Sequence, residues 1–324
     1  MTAYLVYPEW LHTVIAPALP VRWYTLLHLL GYLTVFLLFL DHLRARGTPE
    51  EITEARRFFF WFIIGYLAGA RLGALILFGP LEEVVRRPWL VLWPFDESMA
   101  FVGIRGMSFG GGLIGAAVAL LLHHLRHRVR ILLWADALIV GIPLMFFLVR
   151  VGNFANQELY GRVTSLPWGV VFPEAQPVPV AAAGIYRRAI ALGVPAIGES
   201  GFVNLPRHPA QLYEALLTGL IAWAVLRWAT LRRRIHEGWL AATYLLIYGC
   251  AQFLLGYLRV PPIRDPFVVR LSRPGHPPAL FSSPLDLTAD QLLSVLFIVA
   301  GALMLWAVRR HRATRPGVET FHPE

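Results

Sequence analysis

Residues 131–151, ILLWADALIVGIPLMFFLVRV, form an apolar run that is interrupted only by Asp136 and, just before its end, by Arg150. A helix that crosses a bilayer needs roughly 20 predominantly apolar residues, so this run predicts a transmembrane helix. Six further runs of the same character lie at 23–40, 58–78, 107–122, 212–228, 239–258 and 292–308. Together these runs predict an all-α polytopic membrane protein with about seven transmembrane helices.

The composition supports this fold class. The chain has 324 residues, of which 57% are hydrophobic and 15% charged, whereas soluble domains are about 25% charged. All of its basic side chains apart from histidine are arginines, and most of them lie between the apolar runs, where membrane topology accounts for them better than nucleic-acid binding. The single cysteine, Cys250, lies inside an apolar run and is interpreted as a small packing residue. We expect no nucleic-acid partner, no metal ion and no cofactor.

Arginine clusters set the predicted orientation of the helices. They follow the first, third, fifth and seventh runs, at 44–57, 126–130, 232–234 and 309–315. Because loops rich in arginine stay in the cytoplasm, we expect the N-terminus outside and the C-terminus in the cytoplasm. We interpret residues 1–324 as a single membrane domain.

The segments between the runs differ in character. Residues 79–106 mix large apolar side chains with charges, which is typical of an interfacial arm. Residues 153–209 predict a small extracytoplasmic head segment with a few short strands, and the proline-rich residues 260–289 predict an irregular extracytoplasmic loop. Thr48 to Glu51, TPEE, has the pattern of a capping box that begins the second helix.

The polar residues within the runs or next to their ends lie mainly toward the predicted outer side. They include Tyr24, Arg71, Arg150, Glu214, Arg259 and Gln291. This distribution predicts a cavity, positively charged through Arg71 and Arg150, that suits an anionic lipid head group, because guanidinium groups match phosphate oxygens. Asp136 lies deeper, and we interpret it as structurally paired. Gly111 and Gly112 fit either an anion-binding helix start or close helix packing.

The densest polar cluster is residues 150–162, RVGNFANQELYGR, at the end of the 131–151 run. Ionisable side chains near the hydrocarbon region of a membrane are energetically costly, so we interpret this cluster as a functional site. This stretch closely resembles the signature of the bacterial prolipoprotein diacylglyceryl transferases. Other segments agree with that family in order: RWY at 22–24, GARLG at 69–73, GMSFGGGLIG at 106–115, RHPAQLYE at 207–214 and QLLS at 291–294. The resemblance covers nearly the whole chain.

The resemblance implies a monomeric enzyme of the bacterial cytoplasmic (inner) membrane. It would transfer the diacylglyceryl group of phosphatidylglycerol to the lipobox cysteine of a preprolipoprotein, with the substrate thiolate as nucleophile. Arg150 would bind the lipid phosphate, Asn153 and Glu158 would complete the catalytic site, and Tyr24 would contact the head group. We expect further substrate-binding residues at Arg71, Ser108, Gly111, Gly112, Asn156, Gly161, Arg162, His208, Glu214 and Arg259.

Three positions depart from the family pattern. Gly110 stands where the family has a histidine, and Gln252 and Gly256 stand where it has an arginine and a glutamate. These replacements leave three functions open: the same transfer with other residues substituting, with His208 as one such residue; a non-catalytic phospholipid-binding relative; and a paralogue that transfers another lipid group.

Overall fold

A computed structural model describes residues 4–11, 14–16, 19–78, 81–87, 99, 107–180, 191, 193, 201–232, 235–260, 267–270 and 283–314. The helices of this part are α1 (Trp23–Arg46), α2 (Pro49–Phe78), α3 (Leu81–Arg86), α4 (Phe109–His127), α5 (Ile131–Ala155), α6 (Ala210–Glu214), α7 (Ala222–Arg232), α8 (Trp239–Leu255) and α9 (Ala289–Thr314). A π-helical turn, Ala215–Ile221, joins α6 to α7.

The helices confirm the predicted fold class. Within the described ranges, 6 helices are long and apolar enough to cross a membrane, namely α1, α2, α4, α5, the composite of α6, the π-helical turn and α7, and α9. The remaining predicted run forms α8, an apolar helix of 17 residues. The orientation of the helices across the membrane stays a prediction.

Side-chain hydrogen bonds to backbone N–H groups fix the start of two helices. At α2, the Thr48 backbone N–H donates to Glu51 Oε2 at 3.0 Å and the Glu51 N–H donates to Thr48 Oγ1 at 3.3 Å, which confirms the capping box. Asp136 of α5 accepts hydrogen bonds from the backbone N–H groups of Gly238 and Ala241, each at 2.8 Å, at the start of α8. The structural interpretation of Asp136 is therefore confirmed.

The chain forms two compact units, each assembled from three segments. The first comprises Met1–Leu33, Ile142–Val225 and Leu246–Ile298, and the second Thr34–Gly141, Leu226–Leu245 and Val299–Glu324. The single membrane domain stays a prediction. One packing interpretation is wrong: Cys250 is exposed on α8, because it lies on a helix face turned away from the core.

In the second unit, glycines allow α2 and α4 to touch along their backbones. A Cβ atom added to Gly69 would lie 2.5 Å from the Gly111 carbonyl oxygen, and one added to Gly73 would lie 2.7 Å from Gly111 Cα. Only glycine permits this approach, which is typical of membrane helix pairs. Beside this contact, Phe58, Phe62 and Trp134 are fully buried.

In the first unit, short strands form the head. β1 (Leu5–Val6) pairs in parallel with β4 (Val170–Val171), and β5 (Val178–Pro179) pairs antiparallel with β6 (Phe202–Val203). Tyr7 is buried in the head core with Phe172, and its hydroxyl donates to the Ala155 carbonyl at 3.0 Å. The head therefore includes the N-terminal segment as well as the predicted residues 153–209, of which 181–190, 192 and 194–200 lie outside the described ranges.

The other strands lie near the helix ends. β2 (Val14–Ala16) pairs antiparallel with β3 (Leu19–Arg22), just before α1. β7 (Phe267–Val269) pairs antiparallel with β8 (Leu287–Thr288), so the predicted loop 260–289 contains regular structure. Of the predicted interfacial arm 79–106, only residues 81–87 and 99 are described, and the arm stays a prediction.

Candidate functional site

Glu214 is the centre of a buried polar cluster in the first unit. It ends α6, and the π-helical turn that follows is held by the Thr218 hydroxyl, which donates to the Glu214 carbonyl at 2.7 Å. Such turns occur frequently at functional sites. The Glu214 side chain is 0% exposed, and a buried carboxylate is costly unless charged or hydrogen-bonding partners surround it.

Two arginines from different helical segments supply those partners. Arg150 of α5 places Nε 2.8 Å from Glu214 Oε2, and Arg259, just after α8, places Nε 3.3 Å from Oε1. The Arg259 Nη1 atom is also 3.9 Å from Asp290 Oδ2, whose side chain is 30% exposed. The two guanidinium groups therefore share one fully buried carboxylate, and the partly exposed Asp290 supplies a second carboxylate to Arg259.

Gln252 is hydrogen-bonded to both Glu214 and Arg259. The Gln252 amide donates from Nε2 to Glu214 Oε2 at 3.3 Å, and its Oε1 accepts from Arg259 Nη1 at 3.5 Å. A glutamine here bridges the carboxylate and the second arginine without adding charge. Gly256 is packed against Gln291: an added Cβ atom would lie 2.6 Å from Gln291 Cγ. The Gln291 side chain therefore occupies the space next to Gly256.

The end of α5 orients Arg150. Its Nη1 donates to Asn153 Oδ1 at 3.3 Å, and its guanidinium lies over the Phe146 ring, 4.8 Å from the centroid. Gly152 brings Tyr24 close, because a Cβ atom there would lie 2.9 Å from Tyr24 Cα. The structure thus brings together Arg150, Asn153 and Tyr24, three of the predicted site residues.

Glu158 has a different environment. Its backbone is fixed, since its N–H donates to the Asn153 carbonyl at 2.9 Å and its carbonyl accepts from Gln211 Nε2 at 2.6 Å. Its carboxylate is 49% exposed and lies 3.9 Å from Arg22 Nη1, an exposed ion pair of little energetic value. In the described residues, no hydrogen bond or ion pair joins Glu158 to Arg150. Its neighbours Gln157 and Leu159 both have φ of 56°, which is uncommon outside glycine.

Gly161 and Arg162 join three segments of the site. The Gly161 N–H donates to the His208 carbonyl at 2.8 Å, and the Arg162 N–H donates to the Leu258 carbonyl at 2.7 Å. Arg162 Nε donates to the Arg259 carbonyl at 3.0 Å. A Cβ atom at Gly161 would lie 2.6 Å from the Leu258 carbonyl oxygen, so only glycine fits here. These contacts hold Arg259 and His208 at fixed positions.

His208 lies between the head and α6. It is half-buried, and its Nδ1 is 3.4 Å from the Tyr213 hydroxyl. Burial lowers the pKa of His208 below its ordinary value, because the charged form loses solvation. The imidazole is therefore neutral at neutral pH and is able to accept a proton.

Two buried acceptors lie in the same part of the first unit. Asn156 Oδ1 and Gln211 Oε1 have no hydrogen-bond partner among the described residues. Buried polar atoms are normally paired, so each such atom needs an explanation, and a bound polar ligand is one. Gln211 was not among the predicted site residues, although it lies in the quoted motif 207–214. Asp290, which precedes the quoted QLLS motif, was also missed.

The other predicted residues belong to the second unit. Ser108 caps α4: its Oγ accepts from the Gly111 N–H at 3.2 Å, and its carbonyl accepts from the Gly112 N–H at 2.9 Å. Gly112 packs on the Tyr66 ring, and Arg71 is half-buried on α2. These N–H groups are thus used within the helix, and the substrate-binding roles of Arg71, Ser108, Gly111 and Gly112 stay predictions.

The fold and site define a polytopic membrane protein with a polar centre built around a fully buried glutamate and two arginines. The chain belongs to the prolipoprotein diacylglyceryl transferase family, whose sequence model matches residues 12–307. It is similar to proteins named phosphatidylglycerol–prolipoprotein diacylglyceryl transferase. The relative from Treponema pallidum is 34% identical over 92% of this chain and 93% of its own length. The relative from Treponema denticola is 32% identical over 91% of each chain, and that from Cereibacter sphaeroides 35% over 89% and 91%.

Proposed function

We propose that this protein transfers the diacylglyceryl group of phosphatidylglycerol to the lipobox cysteine of a preprolipoprotein signal peptide. It would act as a monomer in the bacterial cytoplasmic membrane. The observation that carries the proposal is the buried Arg150–Glu214–Arg259 centre, in a chain that belongs to the diacylglyceryl transferase family along most of its length. Two arginines gathered around one buried carboxylate present guanidinium donors that suit a phosphate oxygen, such as those of the phosphodiester of phosphatidylglycerol.

In this proposal the phosphate binds to the two guanidinium groups. Arg150 is oriented by Asn153 and Glu214, and arginine recognises phosphate oxygens by charge-assisted hydrogen bonds. Glu214 acts as a positioning residue, because one carboxylate fixes both arginines. The buried acceptors Asn156 Oδ1 and Gln211 Oε1 are suited to the hydroxyl groups of the lipid glycerol.

Arg259 takes the part of the arginine that is replaced by Gln252. It is bound to the same carboxylate as Arg150 and is held by Gln252 Oε1. Burial alone would lower the pKa of Arg259, but the carboxylates of Glu214 and Asp290 outweigh that effect and raise it. Arg259 therefore supplies the second positive charge of the site, from a position seven residues after Gln252.

The reaction then forms one bond and breaks one. The cysteine sulfur attacks the terminal glycerol carbon of the diacylglyceryl group, a C–S bond forms, and the C–O bond to phosphate breaks. The electron pair of that bond stays with glycerol phosphate, whose developing charge the arginines stabilise. The thiol proton passes to a base, and we assign this role to His208, which is neutral and half-buried. Glu158 and Tyr24 lie at the same end of α5 and contact the head group.

The test uses the full chain in proteoliposomes. Phosphatidylglycerol vesicles and phosphatidylcholine vesicles are each mixed with a lipobox peptide, and a peptide with serine in place of cysteine is the control. We expect thioether-linked peptide and free glycerol phosphate only with phosphatidylglycerol and cysteine. If no product forms while phosphatidylglycerol still raises the melting temperature, the protein is a phospholipid-binding relative. Product from a different lipid only would identify a paralogue with another donor.

A further inference from the structure

A second cluster of ionisable side chains lies in the other unit, where α2 begins and α4 ends. His123 and His127 are one helical turn apart on α4, and Glu54 faces them from α2. One ligand atom from each of the three residues lies within 4.8 Å of the others. On the predicted topology this cluster is at the cytoplasmic side.

The residue types and spacing match a transition-metal site. Two histidines at positions i and i+4 project from the same face of a helix, and zinc commonly binds two histidines and one carboxylate. Ligand atoms about 2.1 Å from a tetrahedral metal ion are roughly 3.4 Å apart. Small rotations of the three side chains would bring atoms that are within 4.8 Å to that separation.

The environment of each ligand supports binding. His123 is 8% exposed, and its Nε2 has no hydrogen-bond partner among the described residues. Its ring stacks between His127, at 4.4 Å, and Trp134, at 5.2 Å, which fixes its orientation. A buried imidazole nitrogen without a partner is costly, and a metal ion would satisfy it.

The two carboxylate oxygens of Glu54 face different partners. Its Oε1 accepts from Arg57 Nη1 at 2.9 Å, while its Oε2 faces His127 Nδ1 at 3.9 Å. The hydrogen bond to Arg57 involves only Oε1, and Oε2 remains directed at the cluster. A hydrogen bond from a neighbour to a metal-binding carboxylate is a normal part of such sites.

We propose that Glu54, His123 and His127 bind one divalent transition-metal ion of the zinc class. The exposed side of His127 leaves the fourth position open to water. The ion would join the start of α2 to the end of α4, two helices that already pack through glycines, and so stabilise the second unit. This proposal departs from the expectation that the chain binds no metal, and it does not depend on the transferase activity.

The experiment titrates Co²⁺ into the full-length protein, purified in detergent and treated with a chelator. Co²⁺ in a site with two histidines gives visible d–d absorption, and Zn²⁺ should displace it. We expect one Co²⁺ per chain, with affinity lowered roughly 10-fold or more in His123→Ala, His127→Ala and Glu54→Gln. His124→Gln is the matched control, because His124 is on the same helix but is bound to the Val129 carbonyl.

His127→Ala keeps the test independent of folding, because the His127 side chain is exposed and its loss leaves the core intact. We expect Zn²⁺ to raise the melting temperature of the wild type and of His124→Gln, and to leave that of His127→Ala unchanged. Wild-type protein without d–d absorption, or equal Co²⁺ affinity in wild type and His127→Ala, would overturn the proposal.

Discussion

The two units each contain a glutamate that is bound to arginine, and the two environments differ. Glu51 in the second unit accepts from the Arg130 backbone N–H at 3.3 Å, from Arg130 Nε at 3.2 Å and from Arg130 Nη2 at 2.7 Å. Arg130 is 43% exposed and Glu51 10%. At Glu214 in the first unit, the carboxylate is 0% exposed and its partner Arg150 is 8% exposed.

The difference separates an architectural ion pair from the proposed binding centre. Glu51 also serves the capping box of α2, and water solvates its arginine partner, so the cluster is complete without a ligand. Around Glu214, two guanidinium groups share one fully buried carboxylate, and the buried acceptors Asn156 Oδ1 and Gln211 Oε1 have no hydrogen-bond partner among the described residues. We therefore base the proposed site on the burial of the Glu214 carboxylate and on the unpaired acceptors near it, and not on the number of charges.

The largest expected effect comes from removing the shared charge. We expect Glu214→Gln to lower the free energy of unfolding by about 3–5 kcal/mol, because the buried Arg150 guanidinium loses its carboxylate partner. Glu51→Gln should cost about 1 kcal/mol, because solvent screens Arg130. Thermal unfolding in detergent measures both. Adding phosphatidylglycerol should raise the melting temperature of Glu214→Gln more than that of Glu51→Gln. An equal rise in the two variants would contradict the proposal that the lipid binds at Glu214 and not at Glu51.

A second substitution tests phosphate recognition directly. We expect Arg150→Ala to reduce transfer by about 10²–10³-fold, since a donor to the developing phosphate charge is lost. Arg150→Lys should recover little activity, because an ammonium group lacks the guanidinium fork. Product formation in proteoliposomes is the measurement, and Arg130→Ala is the control in the second unit. Unchanged affinity for phosphatidylglycerol in Arg150→Ala would remove the role assigned to this residue.

The pH dependence tests His208 as the base. Burial lowers the pKa of His208 below the ordinary histidine value of about 6.5, so its imidazole is deprotonated at pH 6.5 and above. We therefore expect transfer to decline only as the pH falls below that value. We expect His208→Gln to lose about 10²-fold in rate and to lack this acidic limb. His236→Gln, an exposed histidine, is the control. A variant with an unchanged pH profile would show that another group takes the proton.

The smallest expected effect concerns backbone packing. Gly161→Ala forces a methyl group against the Leu258 carbonyl and should cost about 1–3 kcal/mol of stability. Gly65→Ala in the second unit meets the Gly115 carbonyl at 2.8 Å and should cost a similar amount. Only Gly161→Ala should also weaken phosphatidylglycerol binding, because Gly161 and Arg162 hold Arg259. Equal lipid affinity in the two variants would contradict that positioning role.

Several features could be predicted from local sequence. Hydropathy predicted the transmembrane helices, and the TPEE pattern predicted the start of α2. Both signals depend on residues that are adjacent in the chain. The role of Cys250 was misjudged, since an apolar neighbourhood in sequence does not reveal which face of a helix is buried. The participation of Tyr7 in the head was missed for a related reason: its hydrogen-bond partners Ala155 and Val171 lie far along the chain.

The sequence alone therefore determined the class of the protein and the three departures from the family pattern at Gly110, Gln252 and Gly256, and it predicted a role for Arg150. Only the tertiary structure decided which charges meet. It paired Glu214 with Arg150 and Arg259, left the Glu158 carboxylate half-exposed, and placed Glu54 against His123 and His127. Such pairings depend on the rotation and depth of each helix, and these are set by packing between segments that are distant in sequence.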